Sequence, residues 1–379
     1  VKEDRLKILL INFRDITNPK AGGAEVHLHE IFKRVAGMGH RVDLLCAGFR
    51  GSKKTDEVDG IRIIRVGGES YFNFAAQVQL LRIKGGSYDL IIEDVNKIPV
   101  YSKLFTKTPV MLIIPHLFGT TVFEEASVPI ALYVYLWEFF MPVVYRGLIV
   151  EVISESTRED LLRRGFEAEN LYVVYCGIDT DVYSPGTADS NAHPYPYIVC
   201  MGRLKKYKRV DLVLRAFSEL SPEHKNLHLL IIGDGDHAPQ LKKLACRLGI
   251  REKVMFTGFM DEQEKVRHLR GARMAVNTSP KEGWGLTNIE AQACGIPVIA
   301  SDSPGLRESV KDGETGLLVP HGDIGSLTES MRTLLTDDDL HRKLSRGALS
   351  WAGSLSWDRS AGETLEIIFR YLRGIHTGA

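Results

Sequence analysis

No CxxC pair occurs among the five cysteines, Cys46, Cys176, Cys200, Cys246 and Cys294. They are scattered and odd in number, which argues against a disulfide framework and a zinc site and fits a reducing cytosol. There is no excess of either charge: Lys plus Arg and Asp plus Glu are both 48 in 379 residues. No global field therefore draws the chain to nucleic acid or to anionic lipid, and nucleic acid is not an expected partner. Arg50, Lys53, Lys54, Arg62 and Arg65 form a local basic group, read as a solvated face. No n-region, h-region and cleavage site precede the apolar run Lys7–Phe13, so a signal peptide is not expected. Low-complexity tracts and repeats of solenoid period are also missing. The fingerprint GxGxxG is absent, which disfavours a nicotinamide dehydrogenase.

What is present is an ordinary globular balance, 44% hydrophobic and 25% charged, at a length that suggests two domains. Short β-branched runs alternate with helix-period segments, the pattern of a parallel sheet wrapped by helices. In the first half the strands are read at Lys7–Phe13, Val42–Cys46, Ile61–Val66, Leu90–Glu93, Val110–Pro115 and Leu148–Ile153. Residues 183–197 change character, with Ser184-Pro185-Gly186, Asp189-Ser190-Asn191 and Pro194–Pro196, and read as a linker. A second series follows at Tyr197–Met201, Leu227–Ile232, Val254–Thr257, Ala275–Asn277 and Pro297–Ala300. The expected domains are 1–185, with 357–379 packing back on it, and 195–356. Ligands of open α/β sheets bind outside the carboxyl ends of the strands, so the loops there carry the search for chemistry.

One segment tests the soluble reading. Val128–Tyr145 is almost wholly apolar and aromatic. Glu138 at its centre and Pro129 and Pro142 argue against a span. It is read as a buried or interdomain helix, with contact to a membrane surface as the second reading.

Five places could carry chemistry. Glu282–Glu290 follows a strand. Its Gly283 and Gly285 allow close backbone approach, and the amides of Gly285, Leu286, Thr287 and Asn288 would lie at a helix N-terminus, a ready anion site. By spacing alone it reads equally as a plain strand–loop–helix with two solvated acids. Gly202–Arg209 supplies five cations at a strand end, either a diphosphate cradle or a basic surface turn. Gly22-Gly23 opens the first helix as a tight turn or a ligand contact. His116 follows a strand and is either structural or catalytic. Gly233-Asp234-Gly235-Asp236 reads as a glycine-assisted turn near the nucleotide, not a magnesium site, since no other acidic cluster completes a shell.

Together these residues resemble the family 4 retaining glycosyltransferases of the GT-B fold, over nearly the whole chain and most densely from Tyr197 to Pro320. Glu282 and Glu290, with seven residues between them, match the family's paired-glutamate motif. Ala291–Ser301, Gly305–Glu308 and Gly313–Pro320 resemble its continuation. Gly202, Arg203, Leu204 and Lys208 match its phosphate loop. Leu355–Asp358 resembles the segment before its last helix.

The resemblance implies an α/β fold of two Rossmann-like doubly wound domains facing across a cleft, the last helix crossing back to the first domain. It implies a nucleotide-sugar donor and a glycan or lipid-linked hydroxyl acceptor, in envelope polysaccharide or glycoconjugate synthesis, with no metal or other cofactor. Arg203 and Lys208 would hold the diphosphate, Glu282 and His116 the donor sugar, and Glu290 the ribose. Gly285–Asn288, with Gly283 and Trp284, would meet the distal phosphate. Gly202, Gly233, Asp234, Gly235, Phe259 and Met260 would flank the base and phosphates, and Gly22 and Gly23 the phosphates and acceptor. The expected location is the cytoplasm, with possible peripheral contact at the inner membrane face. Leu117, Trp284 and Arg209 depart from the usual pattern, the last adding charge near the phosphates. The rival readings are a catalytically silent nucleotide-sugar or glycolipid binder and a nucleotide-sugar epimerase.

Overall fold

A computed structural model describes residues 5–125, 127–186 and 193–377. The chain divides into two units: one holds the described residues up to Gly177 and the last helix from Trp357, the other spans Ile178–Ser356. The first unit therefore ends before residue 185. Ile178 already bridges to Ser356, Arg270 Nε donates to Ser184 O at 2.8 Å, and Tyr183 Oη donates to Glu262 at 2.9 Å. Asp189-Ser190-Asn191 of the expected linker lie outside the described residues.

The first sheet contains β1 (Lys7–Ile11), β2 (Arg41–Gly48), β3 (Thr55–Val58), β4 (Ile61–Gly68), β5 (Leu90–Asp94), β6 (Val110–Ile114), β7 (Val150–Val152) and β8 (Leu171–Val173), in the order β3-β4-β2-β1-β5-β6-β7-β8. All neighbours are parallel except β3 and β4. β5 and β6 are buried at every position, which is why they read as unbroken apolar runs, the first closing in Glu93-Asp94. The order reverses between β1 and β5, the switch point at which loops diverge and leave room for a ligand.

The second sheet contains β9 (Tyr197–Met201), β10 (His228–Ile232), β11 (Val254–Gly258), β12 (Met274–Asn277), β13 (Val298–Ser301) and β14 (Gly316–Val319). Its order β11-β10-β9-β12-β13-β14 is all parallel and places the switch point between β9 and β12. The helix Val210–Leu220 buries Val213, Leu214, Phe217 and Leu220 against this sheet. The acidic run from Asp337 caps a helix: Asp337 accepts from Leu340 N at 2.8 Å at the start of Asp338–Gly353.

Two expectations are corrected. Val128–Tyr145 is helical but not buried. Ala131, Val134, Glu138, Met141 and Tyr145 are buried and Trp137 and Val144 pack half-buried on the core, while Val128, Phe139 and Val143 are 70%, 65% and 76% exposed. Its single charge, Glu138, turns in and accepts the N–H groups of Phe118 and Gly119, each at 2.8 Å. Arg65 is not part of a solvated face. It is buried and grips Asp15 with two hydrogen bonds, 2.8 and 3.0 Å, so the loop after β1 is pinned from β4.

The last helix, Trp357–Thr377, packs on the first helix, Gly23–Gly37, in the same unit. Trp357 lies against His27, ring centroids 6.1 Å apart, and burial depresses the His27 imidazole to about 4. Glu151 on β7 is wholly buried with Thr364 of the last helix beside it, and burial raises its carboxyl from 4.5 to about 8. The unfolded chain releases this proton above about 4.5 and the folded chain only above about 8. Between those values the native state holds more protons, so this group's stabilising contribution, complete at low pH, is lost as pH rises. Glu151→Gln keeps the shape and removes the titration. Urea denaturation should therefore favour the variant over the wild type by at least ~1 kcal/mol more at pH 8 than at pH 5. An equal difference at both values would show that Glu151 is not held neutral.

Candidate active site

The carboxyl-end loops of the second sheet are locked together by their backbones. Gly202 N donates to Ile232 O at 3.0 Å, Leu204 N to Asp234 O at 2.9 Å, and Gly233 N to Gly258 O at 2.8 Å. These contacts explain two glycines. A Cβ at Gly233 would sit 2.1 Å from Gly202 O, and one at Gly235 would sit 2.3 Å from Leu204 O. The turn expected at Gly233–Asp236 lies slightly later, where Ala238 N donates to Gly235 O at 3.1 Å; Asp234 Oδ1 accepts from Gly235 N at 2.8 Å, and Asp236 pairs with Lys205 at 2.6 Å. Phe259 and Met260 follow β11, with Phe259 90% exposed.

At the switch point, the loop after β9 meets the loop after β12. Lys208 Nζ donates to Glu282 Oε1. Both side chains are largely enclosed. Burial alone would lower the Lys208 ammonium, but the Glu282 carboxylate and Tyr207 outweigh it and hold the pKa above the usual lysine value. Arg203, on the same loop, is exposed. Arg209 occupies a left-handed conformation, φ 53°, at the start of the helix Val210–Leu220. Glycine takes that geometry without strain, a side chain with a β-carbon only at some cost. The Arg209 guanidinium turns to Asp211 at 3.0 Å, so its added charge is taken up within the helix's first turn.

The Glu282 loop is braced from β13. Glu282 N donates to Pro304 O at 3.1 Å, and Ser303 Oγ donates to Ser279 O at 2.8 Å. Gly305 has φ 79°, and a Cβ there would lie 2.2 Å from Glu282 O. The helix Leu286–Ala293 starts from Gly285, φ 92°. The anion site expected from four amides is narrower than that. Asn288 N already donates to Gly285 O at 2.8 Å, which leaves the amide of Gly285 and the first-turn amides of Leu286 and Thr287. Asn288 itself is buried, and its side chain accepts from Asn277 at 3.0 Å and donates to Ser309 at 2.9 Å. Trp284 is also buried, against Trp351, so Gly283 and Trp284 face the loop's interior. Glu290 Oε1 is 3.1 Å from Lys265 Nζ. Tyr183 lies beside Glu290 and Glu262, and burial with these carboxylates pushes its phenol far above the usual range. Spacing gave no signal for Lys265 or Tyr183.

The first unit has its own polar cluster at the β1/β5 switch point, which sequence reading missed apart from the neighbouring glycines. Gly22 N donates to Glu25 Oε2 at 2.7 Å as the helix begins at Gly23. Asn96 Nδ2 donates to Asn12 Oδ1 at 2.9 Å and to Glu25 Oε1 at 3.3 Å. Asp94 ends β5 nearby, and burial followed by the charges of Glu25, Glu151 and Glu93 raises its carboxyl well above the ordinary value. His116 is half-buried after β6, its ring 5.6 Å from Phe118. Glu138 holds the backbone of that loop through Phe118 and Gly119. Among the described residues, no group of three or more His, Cys, Asp or Glu side chains is arranged to hold a metal ion.

Residues 21–182 match Glycosyltransferase Family 4, and residues 188–351 match Glycosyl transferases group 1. The D-inositol 3-phosphate glycosyltransferase of Streptomyces bingchenggensis is 32% identical over 238 residues, 58% of this chain and 52% of that protein. The chain thus spans about half the length of the curated relatives it matches. Among solved structures, the sucrose-phosphate synthase of Thermosynechococcus elongatus superposes with a TM-score of 0.81 at 22% identity, covering 98% of this chain and 100% of that one. The Anabaena protein HepE, in complex with UDP and glucose, gives 0.78 at 20% identity, with 97% and 100% covered. At these identities the superpositions establish the fold: two Rossmann-like domains in the GT-B arrangement of elements.

Proposed function

Because this chain belongs to the family 4 glycosyltransferases, we propose that it moves a sugar from a nucleotide-diphosphate-sugar to a hydroxyl acceptor with retention of anomeric configuration. The observation that carries the reading is the meeting of Lys208 and Glu282 at the β9/β12 switch point, beside the first-turn amides of Leu286 and Thr287.

The leaving group is a nucleoside diphosphate, so the reaction needs fixed positive charge more than it needs a protein nucleophile. Lys208, held cationic by Glu282, and Arg203 stabilise the departing diphosphate, and the Leu286 and Thr287 amides take its distal phosphate. This set supplies the charge without a metal ion. Glu282 contacts the donor sugar. Glu290 accepts hydrogen bonds from the ribose hydroxyls, and the loops of Gly233–Gly235 and Phe259-Met260 flank the base. In the first unit, the Gly22-Gly23 turn serves the phosphates and the acceptor, and His116 serves the donor sugar. The acceptor hydroxyl attacks on the face the diphosphate leaves, through an oxocarbenium-like state, and a phosphate oxygen takes its proton. The acceptor is a glycan or lipid-linked glycan of envelope or glycoconjugate synthesis.

Thermal-shift measurements with UDP-, GDP-, ADP- and TDP-sugars test the donor half of this reading. One base class should stabilise the protein by ~2.7 kcal/mol when present at 100 times its dissociation constant. Glu290→Gln should weaken that ligand by about tenfold through loss of charge-assisted bonds to the ribose. No response to any donor, or an unchanged affinity in the variant, would remove the assignment.

A further inference from the structure

The outer face of the helices Val128–Phe139 and Met141–Val144 has no function in the donor chemistry, and nothing in a folded monomer accounts for it. Ile130, Leu132, Leu136, Phe139, Phe140 and Val143 all lie open to solvent. A helix on a watery surface normally carries its charges outward and its apolar residues inward. Here the only charge between Val128 and Tyr145 is Glu138, and it is buried, bonded to two backbone amides and 3.5 Å from Arg164. The surface is therefore apolar by construction, not by the scatter of single exposed residues found on any protein.

Its margin is basic and aromatic. Lys103 Nζ donates to the carbonyl of Arg146, just past the second helix, at 2.7 Å, and the Arg146 side chain is 81% exposed, with only a loose 3.4 Å approach to Glu167. Leu104 extends the apolar surface beside Lys103. Tyr133, 43% exposed, leans on the half-buried Trp137 with ring centroids 4.8 Å apart. Apolar and aromatic side chains with cations at one end match the boundary between lipid headgroups and acyl chains. No helix among the described residues is long and apolar enough to cross a membrane.

We propose that this face docks the first unit onto the surface of an anionic lipid bilayer, the apolar side chains entering the headgroup–acyl boundary while Lys103 and Arg146 meet lipid phosphates. The proposal is independent of the donor site and stands or falls without it.

Flotation with vesicles tests it. The intact chain should float with phosphatidylcholine vesicles containing about 30% phosphatidylglycerol, and less with phosphatidylcholine alone. Leu136→Glu, Phe139→Glu and Val143→Glu combined should lower partitioning by at least about tenfold. Val143→Glu alone, at the most exposed position, should lower it in part, and its unchanged circular dichroism melt would show that folding is intact. Lys103→Glu with Arg146→Glu should weaken binding to the anionic vesicles and leave binding to neutral ones as it was. Failure of the wild type to float, or equal flotation of the triple variant, would overturn the proposal. So would a concentration-dependent dimer in solution that the triple variant abolishes, which would assign the face to a second copy of the chain.

Discussion

Lys208→Ala should lower the rate of sugar transfer by about 100-fold or more, with a much smaller change in donor affinity. The asymmetry follows from when the charge is needed. In the bound donor the diphosphate is already partly neutralised by its bond to the sugar, and negative charge builds on it only as that bond breaks. An enclosed ammonium that meets that charge as it develops would favour the transition state over the ground state. Glu282 keeps Lys208 charged against the cost of its burial. Removing Lys208 also leaves the Glu282 carboxylate, largely enclosed, without its cation. Transfer at wild-type rates in Lys208→Ala would exclude leaving-group stabilisation by this residue.

Gly305→Ala should unfold the protein more easily by about 3 kcal/mol and abolish the donor response, although residue 305 carries no functional group. The added methyl would meet Glu282 O at 2.2 Å and Glu282 C at 2.8 Å, with the backbone at φ 79°. The loop bearing Glu282 and the Leu286 amides must move to admit it. Gly313→Ala separates the steric effect from backbone strain. Its φ is 69°, but nothing lies within 4 Å of where its methyl would sit, so it should cost only ~1–2 kcal/mol and leave donor binding intact. Denaturant midpoints and donor thermal shifts on both variants give the comparison. Equal behaviour of the two would mean that the contact with Glu282 does not shape the site.

The sequence made the parallel strands legible because burial on both faces demands unbroken apolar runs, as in Leu90–Asp94 and Val110–Ile114. It concealed β3, Thr-Asp-Glu-Val, an antiparallel edge strand with no apolar run to announce it. It also concealed the short β8 and the glycine-led β14. The segment Val128–Tyr145 shows the limit of composition: an apolar stretch declares that it avoids water, not what covers it, and only the inward turn of Glu138 reveals which side faces out. In the second unit the strand-end loops that carry Lys208 and Glu282 were each legible, but the pairing of the two side chains was not. Its support by Pro304 and Gly305 emerges only in three dimensions. In the first unit, Asn12, Glu25 and Asn96 converge only because β1 and β5 are neighbours at a switch point, a fact of topology that no local spacing encodes.

The central claim is that the β9/β12 switch point not only binds a nucleotide-sugar but breaks its sugar–phosphate bond. With the donor class fixed by thermal shift, nuclear magnetic resonance of donor and protein in EDTA follows that bond directly. The expected result is release of the nucleoside diphosphate, by transfer or by slow hydrolysis, with the sugar first appearing in the donor's anomeric configuration and release slowed by Lys208→Ala. A donor that binds tightly and stays intact would contradict the account and identify a nucleotide-sugar binding protein instead.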